Sequence, residues 1–457
     1  KCVGEQYLQE KILGVGHIQT CSYCQERNKS TELSSLAGII QTALDEHYQC
    51  TPDQPDAYEY AYMKEFDREW ERSGECLNYV IQEMAAVDEP IAKDVEECLL
   101  EDFDPHCGEM YDDDPHYELS DPSDWQLRNM WEEFQKEITS RSRFFSPTAK
   151  NILDEIFQDI ASLKTSAGKS AIITIQETDK SPHIYRARIA NSPTETEQIL
   201  KNPQKELGAP PALLATAGRM NAHGISVFYG AKEIETCINE IRPPVGSTVI
   251  VGKFTVLRSL NLLDFEVLTQ ITTTKSIFDP MCAKEKQQAA FFKIFIDEIS
   301  RPILPADEQV DYTPTQIVAE YLANVFSPHL DGFVFHSAQS GTKSRNIVLF
   351  YAASKVEDYD LPEGSTVEVS WGHDTEDGYK PEIIVWERVT EETPQKEQIS
   401  LLDKLFTPNA DSRFDTLRLD VKNLIVYPIQ GVKYDHPSNG NIERYRMEKR
   451  AGVVNDF

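Results

Sequence analysis

The chain has 457 residues, with 76 acidic against 45 basic side chains and a formal charge of −31. That length exceeds what one core supports, about 250–300 residues, so two or three domains are expected. The anionic surplus repels a phosphate backbone and argues against a nucleic-acid partner, yet leaves room for a small anionic ligand held by a few local arginines. An apolar fraction of 40% suffices for packed cores and excludes wholesale disorder.

Nine cysteines form an odd set scattered over a long chain, unlike a disulfide framework, so a reducing, cytoplasmic setting is expected. No run of about 18 apolar residues is present and no charged-then-apolar leader opens the chain, so neither a membrane span nor a signal peptide is expected.

In chain order, residues 1–30 are a cysteine-marked segment containing Cys2 and Cys21-Ser22-Tyr23-Cys24. The C-x-x-C spacing suits a metal knuckle, but alone it leaves zinc and no role equally open. Residues 31–167 read as a helical domain, with Leu33, Leu36, Ile40, Leu44 and then Leu77, Val80, Ile81, Met84 at helical spacing. Within it, Asp102 to Asp124, including Asp112-Asp113-Asp114, lacks apolar periodicity and the alternating ligands of a calcium loop, and reads as a solvated acidic loop. Ser146-Pro147 supplies an N-cap and a first-turn proline for a helix over Thr148–Leu163.

From Ala171 the period changes from helical to extended. Residues 168–388 read as an α+β domain with strands at 171–175, 225–229, 248–251 and 346–350, followed by 366–370 and 382–387. Residues 389–457 form a C-terminal extension, with a polar linker over 389–398 and a further strand at 424–427.

One compact unit in the α+β domain concentrates functional residue types. Gly218-Arg219-Met220-Asn221 precedes a strand ending at Tyr229; Gly230-Ala231 opens a helix reaching Glu240, which Arg242-Pro243-Pro244 stops. On that helix Glu233 and Glu240 fall on nearly the same flank. Much later, Asp331 to Ser337 leads through a loop to the strand at 346–350. Singly, Arg219 reads as a surface or capping residue, Glu240 as a helix-end acid, Tyr229 as core and Ser337 as a turn residue.

Together these segments resemble the RES domain family, named for its Arg, Glu and Ser. The resemblance runs from about Ile184 to Phe350, and is carried by Pro210-Pro211, Gly218 to Asn221, Gly224 to Ala231, Glu240, Gly332 to Ser337 and Asn346 to Phe350. It implies a fold like that of ADP-ribosylating toxins and cleavage of the nicotinamide–ribose bond of NAD⁺, with phosphate or water as acceptor. Arg219, Tyr229, Glu240 and Ser337 are the implied catalytic residues, with Arg186 and Asn221 binding substrate. The ribosyl cation formed on cleavage requires a carboxylate beside it, the role assigned to Glu240. Arg219 suits the pyrophosphate or an incoming phosphate. Tyr229 would pack against nicotinamide or ribose, and Ser337 would orient the substrate. His336 and Ser337, as strand neighbours, point to opposite faces and do not make a dyad.

The cysteine segment resembles the N-terminal domain found ahead of RES or HEPN domains, which implies that Cys2, Cys21 and Cys24 are zinc ligands and that a fourth lies upstream of Lys1. The implied context is a bacterial toxin or anti-phage effector restrained by its N-terminal half or by an antitoxin or regulatory protein, without a membrane or nucleic-acid partner and with homo-oligomerisation open. Two alternatives use the same cleft or fold: mono-ADP-ribosyl transfer to a protein, and a non-catalytic nucleotide-binding scaffold.

Overall fold

The computed structural model describes residues 2–66, 69–101, 115–122, 124–179, 182–301, 311–336, 344–359, 361–362, 364–375, 378–389 and 411–433. The acidic run Asp112–Asp114, the polar linker beyond residue 389 and Ser337 lie outside the described residues.

The amino-terminal part begins with α1 (Gln6–Val15), whose first turn is capped by the Glu5 carboxylate accepting from the Leu8 amide at 2.6 Å. The hairpin β1 (His17–Thr20) and β2 (Arg27–Ser30) follows, with Cys21 to Cys24 in its turn. Next come α2 (Leu33–His47), β3 (Tyr48–Cys50), α3 (Ala57–Phe66), β4 (Glu75–Cys76), α4 (Leu77–Ala85), α5 (Glu89–Glu101) and β5 (His116–Leu119). Leu36, Ile40 and Leu44 from α2 and Leu77, Val80, Ile81 and Met84 from α4 bury together with Leu8 and Val95, so the helical spacing in the sequence marks a real core face. The helical pattern gave no sign of β3, β5 and β4, a small antiparallel sheet of two- to four-residue strands.

α6 (Trp125–Ser140) and α7 (Pro147–Ile156) belong to a different core. Ser146 caps α7, its hydroxyl accepting from the Ala149 amide at 3.2 Å, with Pro147 in the first turn. The helix stops at Ile156, short of Leu163, because the chain breaks into turns and Asp159 adopts a φ of +57°. Phe157, Ile160 and Leu163 nevertheless stay buried, so the apolar spacing continues after the helix ends.

The rest of the chain builds one large sheet and its covering helices. In order these are β6 (Ile172–Ile175), β7 (His183–Ala190), α8 (Pro193–Lys201), α9 (Pro203–Leu207), β8 (Phe228–Ala231), α10 (Ile234–Glu240), β9 (Thr248–Val256), β10 (Leu260–Asp264), α11 (Phe265–Thr269), α12 (Pro280–Ser300), α13 (Thr313–Asn324), β11 (Gly332–His336), β12 (Arg345–Leu349), β13 (Thr366–Thr375), β14 (Gly378–Arg388), β15 (Leu417–Leu419) and β16 (Ile425–Pro428). The strands run β15-β9-β7-β8-β12-β11-β10-β6, with β16 also on β9, and among these described strands β10 and β11 pair parallel while the other pairs are antiparallel. β13 and β14 form a separate ribbon.

Alternation along β12 sorts the two faces: Val348 enters the core made with α6, α7, α12 and α13, whereas Ile347 and Leu349 enter the opposite core with Ile184, Phe228 and Phe254. The strand expected at 225–229 is displaced to Phe228–Ala231, since Gly224 turns with φ +86° and residues 224–226 bond back to the preceding loop rather than to a strand. Phe278, just ahead of α12, inserts into the amino-terminal core, so α12 begins against one core and runs on into another. Among the described residues no helix is long and apolar enough to cross a membrane.

Candidate functional site

The loop before β8 is built around Asn221. Its Nδ2 donates to the carbonyls of Thr216 (2.9 Å), Ala222 (3.2 Å) and Ile225 (3.0 Å), and its Oδ1 accepts from the Tyr229 hydroxyl at 2.9 Å. The Met220 amide donates to the same hydroxyl at 3.2 Å. Gly218 is required for this approach, because a Cβ there would fall 2.7 Å from Asn221 Oδ1 and 2.9 Å from Tyr229 Oη. Asn221 is thus buried with its amide committed to the loop and to Tyr229. Burial pushes the phenol of Tyr229 well above its ordinary range, against the pull of the Met220 amide and of the charges on Arg186 and Arg219.

Arg219 reaches the end of α12. Its Nη1 donates to the Ile299 carbonyl and its Nη2 to the Arg301 carbonyl (2.7 Å), and its guanidinium lies 5.3 Å from the Tyr312 ring centre. A cation here meets the negative end of the helix dipole and satisfies carbonyls that the last turn leaves unbonded. α13 clamps the same loop from the other side: Thr315 Oγ1 donates to the Arg219 carbonyl at 2.6 Å and Gln316 Nε2 to the Gly218 carbonyl at 2.9 Å.

Arg186 occupies the place where the sheet divides. β7 pairs with β9 along its whole length but with β8 at Tyr185–Ala231 alone, and the next residue, Arg186, donates from Nη1 to the Tyr229 carbonyl at 3.3 Å. Its guanidinium stands 5.0 Å from the Phe228 ring centre. Burial pulls this group down to about 10, and the neighbouring charge of Arg188 adds to the shift. Among the described residues neither Arg186 nor Arg219 pairs with a carboxylate, in a chain where acids outnumber bases 76 to 45.

Glu240 closes α10, exposed, with Oε2 accepting from Asn346 Nδ2 at 3.0 Å. Asn346 is two residues from Val348, which lies directly across from Tyr229, so Glu240 is held to the sheet face that carries the Tyr229 ring. The structure therefore brings Arg186, Arg219, Asn221 and Tyr229 into one neighbourhood and tethers Glu240 two strand positions along it. Ser337 follows the last residue of β11 and is outside the described residues. His336 turns instead to Glu266, with Nε2 3.2 Å from Oε2, and Arg345 pairs with Glu266 and with Asp264. The sequence reading missed this ionic cluster, the carbonyls under Arg219 and the Asn346 tether. Its one signal was a polar Arg-Asn pair opening an otherwise apolar strand.

Cys2, Cys21 and Cys24 form the other cluster. Their sulfurs all lie within 4.8 Å of one another, with 3.8 Å between Cys2 and Cys21. Metal–sulfur bonds of about 2.3 Å in a tetrahedron put the sulfurs about 3.8 Å apart, so the spacing fits a thiolate metal site. Burial pushes the Cys2 thiol up to about 11, while a backbone hydrogen bond from Cys24 lowers Cys21. The cluster lines a cavity of about 710 Å³ between α1, the hairpin, α2 and α5, and the cavity's lining includes none of Arg186, Arg219, Tyr229 and Glu240. A smaller cavity, about 100 Å³ behind Met220 and Asn221, falls below the about 300–1,000 Å³ usual for organic ligands. The larger space is thus at the thiols, but Arg219, without a carboxylate partner among the described residues, beside Tyr229 and Glu240 makes the sheet face the better candidate for an anionic substrate.

Residues 186–372 match the family model of the RES domain, a match that suggests at family level an NAD⁺-related, toxin–antitoxin-type role. Ahead of it, residues 15–151 match the family model of the HEPN/RES N-terminal domain 1. Neither a curated protein nor a solved structure matches the chain.

Proposed function

We propose that the chain cleaves the nicotinamide–ribose bond of NAD⁺, with phosphate or water as acceptor, and that it acts as a toxin or anti-phage effector. The observation that carries this reading is Arg219 beside Tyr229, without a carboxylate partner among the described residues, in a RES domain whose Glu240 is held on the Tyr229 sheet face and whose Arg186 bonds the Tyr229 carbonyl. Arg219 and Arg186 supply positive charge for the pyrophosphate, a task suited to the planar guanidinium fork. Asn221 fixes the Tyr229 hydroxyl, leaving the ring to pack against nicotinamide or ribose. Glu240 faces the positive charge that develops on the ribose as the bond breaks, and Ser337 orients the substrate. The cleavage breaks the C1′–N bond, releases neutral nicotinamide with the electron pair, and leaves the ribosyl carbon to the acceptor oxygen.

In this reading Cys2, Cys21 and Cys24 hold a structural zinc with a fourth ligand from elsewhere, and the amino-terminal module or a separate antitoxin restrains the activity. Incubation with NAD⁺, with and without phosphate, followed by chromatography and mass measurement of the products, tests the proposal. Nicotinamide release is expected, with ADP-ribose 1″-phosphate in phosphate and ADP-ribose without it. Binding of NAD⁺ without turnover, or transfer of label to a protein band, overturns it.

A further inference from the structure

α10 is fastened along one flank to two strands. The Glu233 carboxylate accepts from the Arg345 amide at 3.4 Å, the Cys237 thiol donates to the Tyr185 carbonyl at 2.9 Å, and the Glu240 carboxylate accepts from Asn346 Nδ2 at 3.0 Å. Positions 233, 237 and 240 follow the i, i+4, i+7 repeat that lines one side of a helix. Two of the three tethers end on consecutive residues at the start of β12.

Asn346 is an odd occupant of its position. It is 4% exposed, its strand neighbours in register are Ala231 and Phe335, and it shares a face with Val348 of the sheet core. Asparagine is depleted in strands, and a buried amide costs free energy unless it is bonded. An apolar residue would pack here without that cost, so the side chain calls for a reason other than packing, and the bond to Glu240 supplies one.

We propose that Asn346 is the positioning residue for Glu240: from within the sheet it directs an N–H at one carboxylate oxygen, fixing the orientation of an otherwise exposed helix-end acid. The inference rests on the role given to Glu240 above. A donor held by a rigid strand fixes a catalytic group better than a loop residue does, and donation to an ionised carboxylate is stronger than donation to a neutral acceptor. The second oxygen of Glu240 is then the one directed at the ribose.

The test compares the parent protein with Asn346→Asp, Asn346→Ala and Glu240→Gln, measuring kcat, KM for NAD⁺, melting temperature and the pH dependence of kcat. Asn346→Ala removes the donor and is expected to lower kcat about 10- to 100-fold with KM little changed. Asn346→Asp nearly keeps the shape but sets two carboxyls together, so the pair holds a proton to higher pH and the acid limb of the kcat profile moves up by about one unit. A melting temperature close to the parent's shows that these losses are not unfolding; if Asn346→Ala does not fold, the near-isosteric Asp variant carries the test. Profiles that superimpose on the parent's, with Glu240→Gln inactive, overturn the positioning role and leave the site reading standing. Full activity in Glu240→Gln, or no nicotinamide release by the parent, overturns both.

Discussion

The cysteine cluster and the arginine–tyrosine–glutamate face are assembled in opposite ways. Cys21 and Cys24 share one hairpin turn and Cys2 joins them from just ahead of α1, so short-range chain geometry brings three sulfurs together. The other set draws Arg186 from β7, Arg219 from a loop, Tyr229 from β8 and Glu240 from α10, and sheet register sets Tyr229 across from Val348, two residues from the Glu240 tether. The first arrangement is local and could hold a metal ion within a small module; the second spreads its groups over separate elements.

That contrast predicts separable effects. Glu240→Gln should lower nicotinamide release about 100- to 1,000-fold while leaving the melting temperature and metal content at parent values, because it removes charge from an exposed helix end. A variant that loses activity and metal together would mean the two sites are one unit. Cys21→Ser should release the metal and lower the melting of the amino-terminal core by roughly 5 °C, with a persisting NAD⁺-dependent rate, as metal analysis and calorimetry would show. An unchanged melting temperature would remove the case for a structural ion.

The smallest effect concerns the junction between the modules. His47 of α2 is buried, with Nε2 3.1 Å from the Ile277 carbonyl and Nδ1 3.4 Å from Lys286 Nζ on α12, and burial together with the Lys286 charge depresses it below 6.5. A folded-state value below the unfolded one means that the unfolded chain binds the proton first. The contribution is therefore present above about pH 6.5 and lost as pH falls. Urea titrations at pH 7 and pH 5.5 should show parent stability falling more than that of His47→Gln, and parallel losses would acquit His47.

Much of this was legible in the sequence because burial leaves a period. The stripes of α2 and α4 and the β-branched runs of β6, β9 and β12 identify themselves, and the family motifs mark Arg219, Tyr229 and Glu240. Register was not legible: nothing local shows that Val348 lies across from Tyr229, so the tether from Asn346 to Glu240 and the cluster of Arg345, Asp264 and Glu266 could not be read. β10 was missed because its pattern passes directly into α11, and the displaced start of β8 because Asn221 captures the Ile225 carbonyl. Arg219 fits the capping reading, since it bonds the carbonyls at the end of α12, and it has no carboxylate partner among the described residues.

α12 has 21 residues, about 30 Å of hydrogen-bonded rod. Its leading end is anchored by Phe278 in the amino-terminal core, and its trailing carbonyls grip Arg219. One continuous helix thus joins the amino-terminal core to the loop that carries Arg219.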